Sequence, residues 1–373
     1  CVEGKMRILF VVKNLRVANG VSSYVMNYYR KIKERGYNID FLLINDAGSP
    51  YYDEITNNND NVYILPSYKK NLFKVIEFLC NIFEKNNYDI IHSNVVNSGS
   101  LILFLAKIKG IRIRILQSHA TQVGDGIIKR IRNIPFKKVA IKNSNVYFAC
   151  SELAGRDLFK NKKFYVINNA IDINKFKYNK DKEMYLRKKM NLDSEKNIIA
   201  VGRITKQKNP FFIVDVVKEL VKKDSQYKLL WLGSGDLNGK IEKYIAKNHL
   251  ENNIILLGSV INVNDYYNIG DIFILPSIYE GLPVVGIEAQ ISGLYCFFSD
   301  KITREVALGN NNCKFLSIKS PKKWADEIYN LKYSRLENIN EIDYSQYIIE
   351  NQAEKLISLY KELIEKKGEN DEM

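Results

Sequence analysis

Residues 198–223 read IIAVGRITKQKNPFFIVDVVKELVKK. Four apolar residues, 198–201, end at Gly202, a basic loop follows, and from 211 to 223 apolar positions recur at helical spacing. That is a buried strand, a turn and an amphipathic helix, the repeating half of a βαβ unit. Downstream the alternation continues with strands at 228–232, 254–257, 272–275 and 295–298, and helices at 237–248, from 283 and near 321–331. Upstream it runs with strands at 7–12, 39–44, 62–65, 90–93, 111–118 and 146–150, and helices at 22–35, 72–85, 98–109 and from 127. Strands that alternate with helices imply parallel sheets covered on both faces. The expected fold class is α/β, two successive doubly wound domains.

Length agrees, since 373 residues exceed what one hydrophobic core usually organises. Between the halves, 168–196 is polar and charged with no sustained apolar period, as an interdomain connection should be. Near the end, Ile348, Leu356, Leu359 and Leu363 stand at helical spacing among charges, a helix expected to pack back on the body. The expected division is 6–168, 169–345 and a C-terminal helix over 346–368.

A hydrophobic fraction of 46% with 26% charged residues is that of a folded soluble protein, and no apolar run is long enough to cross a bilayer. Cys1, Cys80, Cys150, Cys296 and Cys313 lie far apart without zinc-ligand spacing, so they are expected to be reduced. Residues 1–5 are too few and too polar for a signal peptide, which makes Met6 the expected natural start and the cytoplasm the expected compartment. The formal charge of +14 favours an anionic partner: a nucleotide, a lipid surface or a nucleic acid.

In open α/β sheets ligands bind beyond the carboxyl ends of the strands, so the loops after Val12, Ser93, Ser118, Val201, Leu232 and Leu275 are the ones to read. Arg203 offers a planar fork of donors and Lys208 a compact charge, a pair suited to a diphosphate. Two such residues could equally be a solvated basic loop. Residues 275–288, LPSIYEGLPVVGIE, are more specific. Gly281 permits close backbone approach, Pro283 suits the first helical position, and helix-terminal amides there can face a phosphate. Glu280 falls in the loop and Glu288 in the second turn of the helix. A carboxylate can accept from two vicinal hydroxyls, the geometry of a ribose or hexose.

The pair Glu280 and Glu288 resembles the Glu-x7-Glu motif of the retaining glycosyltransferases of family 4, whose GT-B fold consists of two facing Rossmann-like domains. Val201-Gly202-Arg203 through Lys208 is similar to that family's phosphate-binding arginine and lysine. Residues 166–176 resemble its interdomain signature, and Gln117-Ser118-His119-Ala120-Thr121 a stretch of its polysaccharide-assembly members. The resemblance implies that Arg203 and Lys208 bind the donor diphosphate, Glu288 the ribose hydroxyls and Glu280 the donor sugar. Gly281, Leu282 and Pro283 would lie alongside the donor, and His119 would reach the sugar from the first domain. Arg203, Lys208, Glu280 and His119 are thus the catalytic candidates. The family's first loop commonly carries a glycine pair near the phosphates; here it reads Asn19-Gly20, leaving Gly20 for that place. His92 is a weaker candidate, and His249 is expected to be inert.

The chain has no Asp-x-Asp motif, so transfer without a metal or other cofactor is expected. The resemblance implies a UDP-sugar donor, a hexosyl or N-acetylhexosaminyl group, a glycan or lipid-linked acceptor in cell-surface polysaccharide synthesis, and retention of anomeric configuration. Residues 127–163 interleave Lys129, Arg130, Arg132, Lys137, Lys138 and Lys142 with Ile128, Ile131, Ile134, Phe136, Val139 and Ile141. That suits a helix at an anionic membrane surface, and equally an ordinary solvated helix with one core face. Two rival functions remain: a UDP-N-acetylglucosamine 2-epimerase, which shares the two-domain fold, and a basic nucleic-acid-binding protein. No nucleic-acid partner is expected, because the named motifs and aromatic interleaving for it are missing.

Overall fold

The computed structural model describes residues 6–17, 19–46, 48–67, 71–119, 127–192, 196–309, 312–332, 334–336 and 343–371, the side chains of 127–130 and 367–371 excepted. The quoted Ala120 and Thr121, and the side chains of Ile128, Lys129 and Arg130, lie outside the described residues. The chain divides into two compact units, Cys1–Arg16, Val21–Ala170 and Gln346–Met373 forming the first, Val17–Gly20 and Ile171–Ser345 the second.

The first unit alternates β1 (Arg7–Val12), α1 (Gly20–Glu34), β2 (Asn38–Leu43), α2 (Tyr51–Asn57), β3 (Val62–Ile64), α3 (Leu72–Asn86), β4 (Ile90–Ser93), α4 (Gly99–Ile108), β5 (Ile113–Ser118), α5 (Ile127–Asn143), β6 (Val146–Ala149), α6 (Glu152–Phe159) and β7 (Tyr165–Val166). The second holds α7 (Ile173–Phe176), α8 (Lys180–Lys189), β8 (Lys196–Val201), α9 (Pro210–Val221), β9 (Tyr227–Leu232), α10 (Asn238–Lys247), β10 (Ile254–Gly258), α11 (Val263–Ile269), β11 (Ile272–Leu275), α12 (Val284–Ile291), β12 (Tyr295–Ser299), β13 (Cys313–Leu316) and α13 (Pro321–Tyr329). Helix α14 (Ile349–Asp371) returns to the first unit.

The first sheet runs β3-β2-β1-β4-β5-β6-β7 and the second β10-β9-β8-β11-β12-β13. Their neighbouring strands are parallel, with β8 flanked by β9 and β11. Each sheet is therefore buried on both faces, and that is why its strands read as unbroken apolar runs. Along β1, Ile8, Phe10 and Val12 enter one core with Tyr28 of α1 and Leu356 and Tyr360 of α14. Leu9 and Val11 enter the opposite core with Leu79 of α3 and Leu103 of α4. Each such side chain contributes about 1.5–3 kcal/mol by leaving water.

The structure corrects the reading of 168–196 as a bare connection. It contains α7 and α8, and α8 buries no residue at all. Its hold is polar. The Asn179 side chain accepts from the Lys182 amide, Arg187 pairs with Glu183 at 2.8 Å and with Asp271 at 2.6 Å, and Lys182 pairs with Asp265. A helix fastened by a cap and ion pairs has no apolar period to detect. The short elements α2, α6, α11 and β13 escaped for a related reason: none spans enough residues for a periodicity to repeat.

Candidate active site

In a doubly wound sheet the ligand crevice forms where the strand order reverses. In the second unit that point lies between β8 and β11, and the loops that follow these strands carry the residues singled out above. Gly202 leaves β8 at φ 142°. A Cβ there would stand 2.6 Å from Lys208 Cε, so glycine makes room for the lysine stem. The chain makes a 3-10 turn over Lys206–Lys208 and enters α9 through Asn209 at φ 56°.

That turn is fastened to the loop after β11. The Ile278 amide donates to the Gln207 carbonyl at 2.8 Å. Gln207 Nε2 donates to the Tyr279 carbonyl at 3.0 Å and to Glu280 Oε2 at 3.1 Å. Lys208 Nζ lies 2.7 Å from Glu280 Oε1, the two side chains only 15% and 11% exposed. Lys208 and Glu280 thus neutralise each other in a largely dry setting, where the attraction far exceeds that of a surface pair. Arg203 is exposed and makes no ion pair among the described residues. Behind the loop, a Cβ on Gly233 would lie 2.3 Å from the Gly202 carbonyl oxygen and one on Gly235 2.2 Å from that of Ile204. The chain after β9 therefore backs the basic loop at backbone contact.

Gly281, Leu282 and Pro283 are buried and lead into α12. Pro283 stands at the N-cap (φ −77°, ψ 97°) rather than at the first helical position expected, and among the described residues no side-chain cap closes that end. The uncapped amides carry the positive end of the helix dipole. Glu288 sits one turn in and is half-buried, where Tyr267 Oη donates to its Oε2 at 3.0 Å. Burial pushes its pKa from 4.5 up to about 7, against the smaller opposing pulls of the Tyr267 hydrogen bond and the Lys175 charge.

In the first unit the reversal lies between β1 and β4. Gly20 opens α1, and a Cβ there would meet nothing within 4 Å. His119 follows β5, its Nε2 2.8 Å from Asn94 Oδ1 and its ring edge-on to Tyr24 at 4.8 Å between centroids. Burial, helped by His92, lowers its pKa to about 3, so it is neutral near pH 7. His92 is fully buried, bound through Nδ1 to Tyr360 Oη and through Nε2 to Gln117 Oε1, both at 2.6 Å. It braces the site from within the core.

The sequence reading missed Gln207, Tyr267, Asn94 and the Gly233 and Gly235 pair. Only the glycines carried a signal, both within three residues of the end of β9. The others act through contacts with residues distant in the chain.

Residues 181–361 match the family described as Glycosyl transferases group 1, and residues 18–175 that described as Glycosyltransferase Family 4. The chain is 28% identical over 337 residues to the putative glycosyltransferase EpsF of Bacillus subtilis, covering 87% of this chain and 88% of the relative. It is 22% identical over 322 residues to an Escherichia coli UDP-Gal:α-D-GlcNAc-diphosphoundecaprenol α-1,3-galactosyltransferase, covering 81% and 80%. The crystal structure of Anabaena HepE, solved with UDP and glucose, superposes with a TM-score of 0.72 at 15% identity over 98% of this chain and 99% of that one, and so shares the two-domain fold.

Proposed function

This chain belongs to the glycosyltransferases, with a family 4 region ahead of a group 1 region, and on that premise we propose that it passes a hexosyl or N-acetylhexosaminyl group from a UDP-sugar to a lipid-linked glycan. The product is a growing cell-surface polysaccharide, the anomeric configuration is retained, and no metal ion takes part. The observation that carries this reading is the Lys208–Glu280 pair held by Gln207 at the strand-order reversal. The named acceptor of the Escherichia coli relative supports a lipid diphosphate, and its name a UDP donor.

The chemistry follows from the charges. As the sugar–phosphate bond breaks, negative charge grows on the diphosphate. Lys208, Arg203 and the uncapped amides of α12 are fixed positive groups able to receive it without reorganising. A donor phosphate that takes over Lys208 frees Glu280 to accept from sugar hydroxyls, while Glu288 accepts from the ribose. The acceptor hydroxyl attacks from the face the diphosphate leaves, which retains configuration, and its proton passes to the departing phosphate oxygen. Incubation with a panel of UDP-sugars and a lipid-diphosphate saccharide should release UDP, give a product of unchanged anomeric configuration and be indifferent to EDTA. An epimerised nucleotide sugar without free UDP would overturn the transferase reading.

A lipid-bound acceptor calls for a membrane surface, and α5 supports one. The helix turns Ile131, Ile134, Phe136 and Val139 outward beside exposed Arg132, Lys138 and Lys142, while its inward side is Asn133, Ala140 and Asn143. Neighbouring α4 exposes Phe104 and Ile108. Among the described residues no helix is long and apolar enough to cross a membrane, so contact through this face is peripheral. The protein should sediment with anionic vesicles in low salt, and Lys138→Glu with Lys142→Glu should weaken that by tenfold or more, at about 1 kcal/mol per basic residue. Equal binding to neutral vesicles would remove α5 from this role.

A further inference from the structure

Trp231 of β9 is buried in the apolar core with Ile198 and Ala200 of β8 and Ile213 of α9. A buried indole N–H needs an acceptor, and this one donates to the Gly202 carbonyl oxygen at 3.0 Å. That carbonyl belongs to the peptide joining Gly202 to Arg203. No cis peptide occurs among the described residues, and in a planar trans peptide the C=O and N–H point in opposite directions. The indole holds the oxygen toward the core, so the Arg203 N–H is turned away from it. A Cβ on Gly233 would lie 2.3 Å from the Gly202 oxygen but 3.4 Å from the Arg203 nitrogen, in accord with that orientation. Among the described residues no group accepts from the Arg203 amide. Glycine is the residue least able to hold a peptide plane by itself, and Trp231 supplies the restraint.

We infer that Trp231 is a positioning residue: through the Gly202 carbonyl it aims the Arg203 amide as a backbone hydrogen-bond donor to the diphosphate of the nucleotide. The amide belongs to the loop that carries the Arg203 and Lys208 charges beyond β8, at the strand-order reversal. A fixed N–H joined to cations suits a phosphate oxygen, because it adds direction to their attraction. The inference rests on the proposed nucleotide-sugar donor and goes beyond it. It lies wholly within the second unit, and it assigns a backbone contact together with the buried side chain that enforces it.

Amide NMR of protein labelled at arginine tests this in the wild-type chain. The Arg203 signal, identified by its loss in Arg203→Ala, should move downfield with UDP and stay in place with uridine, which has no phosphate. Trp231→Phe keeps a ring in the core and removes the donor. It should weaken UDP binding by about tenfold, the worth of one hydrogen bond to a charged acceptor, and leave uridine binding unchanged. A general loosening of the fold would weaken both. The tenfold loss should persist in an Arg203→Ala background, because alanine keeps the backbone N–H. If the loss disappears there, Trp231 acts on the Arg203 side chain and the amide assignment falls. An Arg203 amide unmoved by UDP overturns it as directly. Should Trp231→Phe fail to fold, benzothienylalanine at position 231, with sulfur in place of the N–H and the same outline, makes the same comparison. A wild-type protein that binds no UDP would sink the donor reading itself, and this inference with it.

Discussion

Lys208→Met is expected to lower kcat/KM for sugar transfer by roughly 10²–10³-fold, the cost of removing one fixed group that stabilises charge in the transition state. The same change should reduce stability, because Glu280, a carboxylate only 11% exposed, would lose the cation 2.7 Å away. Breaking a fully buried pair costs 3–5 kcal/mol, and this pair, with edges still wet, should cost about 1–3. Adding Glu280→Gln removes that charge. The double variant should therefore recover most of the stability in urea unfolding while transfer stays lost. That separation is the informative result, since a merely structural ion pair would let activity return with stability. Wild-type kcat/KM in Lys208→Met would remove the pair from the mechanism.

Glu288→Gln should weaken UDP binding by about 10–100-fold, the worth of one or two hydrogen bonds to a charged acceptor. It should also abolish a proton signal. Near pH 7 the wild-type carboxyl is about half protonated, because burial has raised its pKa to about 7. Ribose hydroxyls donate to the ionised form and favour it, so UDP binding should release a fraction of a proton and tighten between pH 6 and pH 8. Calorimetry in buffers of different ionisation enthalpy reads this directly; proton uptake would contradict the assignment. Stability has the linked sign. The folded pKa of about 7 lies above the ordinary 4.5, so the folded chain binds more protons between those values. This carboxyl's contribution is complete below about pH 4.5 and is lost as pH rises through 7, on the order of 3 kcal/mol in all. Glu288→Gln should flatten that part of the stability profile.

Arg203, Lys208, Glu280 and Glu288 could be picked from the sequence because each follows an apolar run broken at a glycine or proline. Chain direction alone then places them past the carboxyl end of a strand. Gln207 stood in the same quoted loop yet gave no sign of its role, for its partner Glu280 is 73 positions away. Asn94 and Tyr267 were hidden likewise, at 25 positions from His119 and 21 from Glu288. His92 shows the converse. Its place at a strand end made it a weak candidate for the site, and its two hydrogen bonds within the core make it a brace instead.

The sequence by itself determined two βα domains and the side of each sheet on which charge collects, because periodicity and strand direction are local properties of the chain. Only the tertiary structure decided which loops meet. The order β10-β9-β8-β11 sets β8 beside β11, and that neighbourhood turns Lys208 and Glu280 from two loop charges into one ion pair. Strand neighbours are chosen by how helices cover both faces of the sheet, a long-range packing energy that no local stretch of residues encodes.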